Sequence, residues 1–368
     1  MTEIVGGAIQ TTKPPADRVE VSVFGPGFGE CIVVHLGDDQ WMIVDSCIGK
    51  GHREPAALEY LDAIGVKVET AVKLIVATHW HDDHVRGMAR ILERASDAKF
   101  WGASALRSDE FLALTSRRDL ASRFTSGVDE LGKVMDIVNA RSAAGGESLG
   151  EASAARRIWL NPPAAVSEVW CLSPSDEDIA VSRSHIASLL PANPVGVARI
   201  PVLDPNDTSV VLVLITTSGA VLLGGDLEHR PSSETRGWHA VVGLASAPTF
   251  AAGLFKVPHH GSENAHCDRV WDQLIDGEAY CAVTPFERGV TPLPRASDRA
   301  RIRARTPFGF LTSDKRGRAP QRDRVTEKTI REATRAFDPE TLLMGQVQLR
   351  SDTDGGWALG LSEEAAPL

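Results

Sequence analysis

The run Thr78-His79-Trp80-His81-Asp82-Asp83-His84 crowds three histidines and two aspartates into seven residues. Imidazole nitrogens and carboxylate oxygens are the donors that divalent metals take, and a solvated polar turn rarely concentrates them this way. The residues before the run, Val72 to Ala77, are apolar almost throughout and predict a short buried strand. Val85 to Leu92 predicts the start of a helix. A cluster at such a strand-to-helix junction sits where open α/β sheets place their ligands.

Three further strand ends offer the same chemistry. Asp226 follows Leu222-Leu223-Gly224-Gly225 and is suited to bridging two ions; His259-His260 follow the strand Leu254 to Val257; Asp45 ends the strand Trp41 to Val44. A hydrolytic centre needs donors that fix an ion and leave a place for water, and a second ion can clamp the attacking and leaving oxygens together. Nearby residues are more ambiguous. Glu30 reads as a hairpin-turn carboxylate or as a contact of the site. Lys256 reads as a strand-edge lysine or as a phosphate contact. His229 and His266 read as surface histidines, and His35, His52 and His239 as structural or surface ones. Of five scattered cysteines, Cys267 stands out because it closely follows the His259-His260 pair.

The elements that must position these residues follow from pattern. Val21 to Phe24, Cys31 to Leu36 and Trp41 to Val44 predict a meander of strands, and Ala56 to Ile64 a helix. Phe100 to Ala155 is polar and Arg-rich, which predicts an inserted helical cap outside the sheet. Ile158 to Leu172 returns to strand-like composition. Ser209 to Thr216 and Ala220 to Leu223 predict a hairpin turning at Ser218-Gly219. Tyr280 to Thr284 predicts another strand, Thr326 to Ala336 a basic helix, and Gln346 to Leu361 a terminal strand pair. Two hairpin-rich halves, each followed by helices, predict an α/β four-layer sandwich, with residues 1–368 as one domain.

The net charge of −10 is unevenly spread: between Arg288 and Arg335 fourteen Lys/Arg face five Asp/Glu. A basic block inside an acidic chain suggests a local anionic partner, or else a solvated helix face. Arg299, Arg301, Arg303 and Arg305 recur at every second position, which puts them on one face of a strand but spreads them around a helix. The sequence shows no apolar run long enough for a membrane span and no apolar leader, so a cytoplasmic chain with no membrane partner is expected.

His79-Trp80-His81-Asp82-Asp83-His84 resembles the HxHxDH signature of the metallo-β-lactamase-fold hydrolases. Gly27-Phe28-Gly29-Glu30-Cys31-Ile32-Val33-Val34 is similar to the opening hairpin of the hydrolase domain of the DNA-uptake protein ComEC. Asn206-Asp207-Thr208-Ser209, Gly225-Asp226-Leu227-Glu228 and His259-His260-Gly261-Ser262 are similar to later motifs of that branch, in the same order. The resemblance spans roughly Val19 to Thr312 and implies an αββα sandwich. It implies that His79 and His81 bind one metal, that Asp83, His84 and His260 bind a second, that Asp226 bridges, and that Asp45 holds a ligand histidine by its other ring nitrogen. The His-Gly-Ser order, similar to the last histidine motif of tRNase Z, favours His260 over His259. Where many relatives carry a third histidine for the first metal, this chain has Asn206-Asp207-Thr208-Ser209; either Asp207 supplies an oxygen or the first site is incomplete. An oxygen-richer site suits manganese or magnesium as well as zinc.

The expected activity is that of a dinuclear metal-dependent hydrolase. Asp83 and Asp226 are its catalytic carboxylates. Arg301, Arg303, Arg305 and Lys256 meet an anionic substrate, which points to a phosphodiesterase and most of all a nuclease. The alternatives are a small-ester or lactone hydrolase with a pocket under the cap, and a largely non-catalytic, metal-bound member of a multiprotein complex, of the antiviral-defence kind that the branch suggests.

Overall fold

The computed structural model describes residues 6–26, 29–103, 126–162, 165–189, 205–287, 291–318 and 340–368. Two large sheets form among them. The first runs Gly7–Ala8, Trp357–Leu361, Gly345–Ser351, Glu20–Gly25, Cys31–Gly37, Gln40–Val44, Val72–Ala77, Lys99–Ala103, Leu149–Ala152. The second runs Ala366–Pro367, Gly309–Leu311, Ile275–Val283, Ala252–Lys256, Gly219–Leu223, Leu212–Thr216, Val166–Cys171, Arg156–Leu160.

Alternation along the strands sets the layers. Leu212, Leu214, Val221 and Leu223 join a core shared with Val21, Val23, Ile43 and Ile75 of the first sheet. Val211, Val213 and Leu222 point the other way, into a cluster with Trp238, Val270 and Ile302. Those three lie on the helices Gly237–Val242, Asp268–Gln273 and Ala296–Arg303. On the outside of the first sheet, the helices Ala56–Ala63 and Met88–Arg94 bury Leu58, Leu61, Ile91 and Leu92. The outcome is the expected four-layer sandwich. Each fully buried aliphatic side chain contributes about 1.5–3 kcal/mol, so the sheets have a stabilising core that owes nothing to a metal.

One polar knot sits inside the first sheet. The Glu20 carboxylate accepts from Tyr60 at 2.5 Å, from Ser22 at 3.0 Å and from Arg350 Nε at 3.0 Å. Gln348 donates to the same tyrosine oxygen. A buried carboxylate is tolerated only when it is satisfied in this way.

The stretch read as a cap is built differently. Lys99–Ala103 and Leu149–Ala152 pair in parallel and extend the first sheet. The helix Ser126–Ala143 buries Leu131, Val134 and Val138 in the shared core. Their spacing is a helical apolar stripe, which the polar composition around it concealed. The start of this helix abuts the histidine run: a Cβ on Gly127 would overlap the Trp80 carbonyl. Residues 104–125, and the basic helix expected at Thr326 to Ala336, lie outside the described residues. Among those described, no helix is long and apolar enough to cross a membrane.

Strand polarity assembles the candidate residues. Gln40–Val44 runs parallel to Val72–Ala77, and Gly219–Leu223 runs parallel to Ala252–Lys256. Parallel strands end on one edge, so Asp45, His79, Asp226 and His260 are delivered to the same rim.

Candidate metal centre

Backbone constraints come first. Asp45, His259 and His260 hold φ of 59°, 47° and 54°, a region that costs non-glycine residues about 1 kcal/mol or more each. Gly29, at φ 144°, lies so close to Asp83 that any side chain would overlap its carbonyl, and the adjacent Glu30 amide donates to that carbonyl at 3.0 Å. The opening hairpin is thereby fastened to the single helical turn Asp82–Val85.

Four side chains converge. His84 Nε2 is 3.2 Å from Asp226 Oδ2 and 3.6 Å from Asp83 Oδ2, while His260 Nε2 is 3.3 Å from Asp83 Oδ2 and 3.6 Å from Asp226 Oδ2. Beside them, His79 Nε2 faces His81 Nδ1 at 3.0 Å, and the His79 and His84 ring centroids are 4.2 Å apart. The six residues inferred from the motifs therefore occupy one locus.

The atoms behind them fix orientation. Asp45 accepts from His84 Nδ1 at 2.8 Å and from the Thr78 amide and hydroxyl at 2.8 and 2.7 Å. His260 Nδ1 donates to the Thr284 carbonyl at 2.9 Å. Each bond commits a ring proton to the outer nitrogen and aims the Nε2 lone pair inward. Ser209 Oγ accepts from the Asp226 amide at 2.8 Å.

The electrostatics oppose burial. Burial alone would raise Asp83 and Asp226, but His84 and His260 outweigh it and hold both carboxyls below their usual range. Burial would lower His84 and His260, yet Asp226 and Asp83 raise them. His79 is lowered, first by burial and then by His84 and His81.

These residues fit a divalent cation. His84 Nε2 is fully buried and faces the Asp226 and Asp83 carboxylates at 3.2 and 3.6 Å. Its neighbours are carboxylates and imidazoles, the donor set of zinc or manganese. Asp83, His84, Asp226 and His260 each offer a donor atom, all within 4.8 Å of one another.

Other expected residues are placed elsewhere. Both oxygens of Asp207 are taken by Arg230 and Arg236, so this carboxylate is an ion-pair partner and not a ligand. His259 turns away from the centre towards Asn264 at 3.1 Å and Glu228 at 3.4 Å. Lys256 is wholly buried behind Asp226, 2.9 Å from the Gly225 carbonyl and 2.5 Å from Glu30 Oε1; it contacts the protein and not substrate. The alternating arginines lie on the helix Ala296–Arg303 and just beyond it, so they do not share a face. Arg301 donates to the Gly261 carbonyl and to Asp298, Arg305 pairs with Asp268 and Asp272, and Arg303 is exposed.

No sequence motif marks Phe286. Its ring stacks on His260 with centroids 4.9 Å apart and 21° between planes. It also lines a shallow cleft with Pro26, Gly29, Lys50, Pro285, Glu287 and Leu342. Through Gly29 and Phe286 this cleft adjoins both Asp83 and His260.

Residues 24–140 match the model of the metallo-beta-lactamase superfamily. The four-layer α/β arrangement of the chain is consistent with the metallo-β-lactamase sandwich. Solved structures similar to it include the metallo-β-lactamase-fold protein YhfI from Bacillus subtilis, at 11% identity over 80% of this chain and 95% of that one, with a TM-score of 0.38. The hydrolase AbOPH of the β-lactamase superfamily is 14% identical over 61% and 75%, with a TM-score of 0.33. MEM-A1, a subclass B3 metallo-β-lactamase from a soil metagenome library, is 12% identical over 70% and 83%, with a TM-score of 0.36. No curated protein sequence matches the chain. Within this sandwich, the centre lies at the rim where strands of both sheets end.

Proposed function

We propose that this chain is a metal-dependent hydrolase of phosphodiester bonds, with nucleic acid as the substrate class. The observation that carries the hydrolytic part is the inward convergence of His84 Nε2, His260 Nε2, Asp83 and Asp226 beside the His79–His81 pair. His79 and His81 would hold one ion, Asp83, His84 and His260 a second, with Asp226 between. Zinc or manganese fits, and magnesium is the third choice. Bound there, divalent ions polarise an ester oxygen and neutralise developing charge.

The protein's own groups supply the rest. Asp45 and the Thr284 carbonyl keep His84 and His260 in the required tautomers. Asp83, whose side chain is 14% exposed while that of Asp226 is 2% exposed, is the more solvent-exposed of these two carboxylates. The adjoining cleft presents the half-buried Phe286 ring, a face that suits a planar base. The exposed Arg303, and the resemblance to the ComEC hydrolase domain, favour the same substrate class.

The test is hydrolysis of single- and double-stranded DNA and RNA, of a chromogenic phosphodiester and of a carboxylic ester, with zinc, manganese and magnesium in turn. Cleavage of a phosphodiester that disappears with a chelator and returns with metal is the expected result. Cleavage of the carboxylic ester alone would reject the phosphodiester reading.

A further inference from the structure

A second group of metal donors lies apart from this centre. His229 Nε2 and His239 Nε2 face each other at 3.1 Å, with their rings edge to face at 76°. Together with Cys267 they present three donor atoms all within 4.8 Å of one another. His239 and Cys267 are buried and His229 is half-buried. None of the three belongs to the set around His84 and Asp226.

His239 Nδ1 donates to the Ser233 carbonyl at 3.0 Å. A neutral imidazole that donates one N–H to a carbonyl has a lone pair at its other nitrogen, so the His239 Nε2 lone pair faces His229 Nε2. Two nitrogens, each at about 2.0–2.1 Å from a tetrahedral zinc, lie about 3.4 Å apart, close to the observed spacing. The carbonyl partner of His239 is of the kind that orients ligating histidines.

We propose that His229, His239 and Cys267 form a separate metal site whose two-imidazole, one-thiolate donor set selects a zinc-like divalent ion. Three protein donors leave the fourth place to water. The site is structural in position: His229 follows shortly after Asp226, and Cys267 shortly after His260. An ion here staples together the two segments that carry those residues to the centre. Binding replaces the Cys267 S–H proton by the metal and releases that proton to solvent.

The experiment is cobalt titration of the metal-stripped full-length chain, followed by absorption spectroscopy. The six residues of the centre near Asp226 supply only nitrogen and oxygen, so a thiolate-to-cobalt charge-transfer band reports a cysteine ligand. We expect that band to saturate at one ion per chain and to vanish in Cys267→Ser. His229→Gln, a change at a half-buried ring, should weaken cobalt binding at this band at least tenfold while the visible bands of the other centre remain. Zinc should slow alkylation of Cys267 in the wild-type chain at least tenfold, as read by peptide mass spectrometry. Absence of the band in fully loaded wild type, or a band of equal intensity in Cys267→Ser, would overturn the proposal. Unchanged alkylation of Cys267 with zinc present would overturn it equally, whether or not the variants fold.

Discussion

Lys256 Nζ lies 2.5 Å from Glu30 Oε1, and neither side chain reaches water. The same ammonium is 3.7 Å from Asp226 Oδ1. A positive charge is thus built into the floor of a carboxylate-rich centre, held by a strand of the second sheet and a loop of the first. Removing one partner strands the other charge in a dry environment, which costs about 3–5 kcal/mol. Lys256→Met should lose that much in urea denaturation, and Glu30→Gln/Lys256→Met should recover part of it. Burial lowers the Lys256 pKa, but Glu30 and Asp226 more than offset it and the net shift is upward. Its contribution to stability is therefore complete below the unfolded value of about 10.4 and lost as pH rises through the folded one. An alkaline unfolding limb that is unaltered in Lys256→Met would contradict this account.

Asp83→Ala and His81→Ala should reduce hydrolysis to background while far-ultraviolet dichroism stays that of the wild type. The reason is the aliphatic core of both sheets, which folds without the ions. Asp45→Asn keeps the shape but spoils the His84 tautomer, and should weaken metal binding about 10–100-fold. Competition with a chromogenic chelator measures that loss. Full activity in His81→Ala would remove this residue from the centre.

Metal uptake should release protons, more of them than unperturbed histidines would give. His84 and His260 are raised by Asp226 and Asp83 against the lowering effect of burial, so both stay protonated above the ordinary histidine value of about 6.5. Metal must displace those protons, and its apparent affinity climbs with pH. In the metal-free chain the sign for stability is the reverse. The histidine contribution is complete below about pH 6.5 and is lost as pH rises through the folded values, while that of Asp83 and Asp226 is present above about pH 4 and lost as pH falls. Calorimetry in buffers of different ionisation enthalpy reads the protons. A melting temperature that rises from pH 6.5 to 9 in chelator would contradict the assignment.

Gly29→Ala places a methyl group into the Asp83 carbonyl at a backbone angle that disfavours a side chain. We expect a loss of about 1–3 kcal/mol together with weakened metal binding, because the displaced turn carries Asp83 and His84. Unchanged stability and metal content would show that the opening hairpin does not brace the histidine run.

Phe286→Ala should raise KM for an oligonucleotide several-fold, since base–aromatic stacking is worth about 1–3 kcal/mol per base. The effect on kcat should be smaller, because His260 keeps its bond to Thr284. Steady-state kinetics separate the two, and an unaltered KM would take the ring out of substrate recognition.

Positions that end runs of buried aliphatic residues were readable from the chain, because an apolar strand predicts where its last polar residue emerges. His79, Asp226, His260 and Asp45 are of this kind. Lys256 was not, since one lysine in an apolar strand reads equally as an edge residue or as half of an ion pair, and its partner Glu30 is remote in sequence. Asp207 carries an oxygen of the right type, but Arg230 and Arg236, remote from the motif that suggests it, occupy both sides of its carboxylate. The period-two arginines were ambiguous in principle, because only the backbone decides whether such spacing makes one face. The helix Ser126–Ala143 was hidden by its composition, although Leu131, Val134 and Val138 carried the periodicity. His229, His239 and Cys267 share no local motif, so only the fold brings them together.

Gly345–Ser351 lies between Glu20–Gly25 and Trp357–Leu361 in the first sheet, and Arg350 is the cation that answers buried Glu20. During synthesis the amino-terminal strands and the histidine run therefore leave the ribosome long before the strand that closes their sheet. Until Gly345 to Leu361 arrive, Glu20 has no guanidinium and one sheet edge offers its amides and carbonyls to any passing chain. The sheet that supports the centre therefore becomes whole only after Gly345–Leu361 have been synthesised.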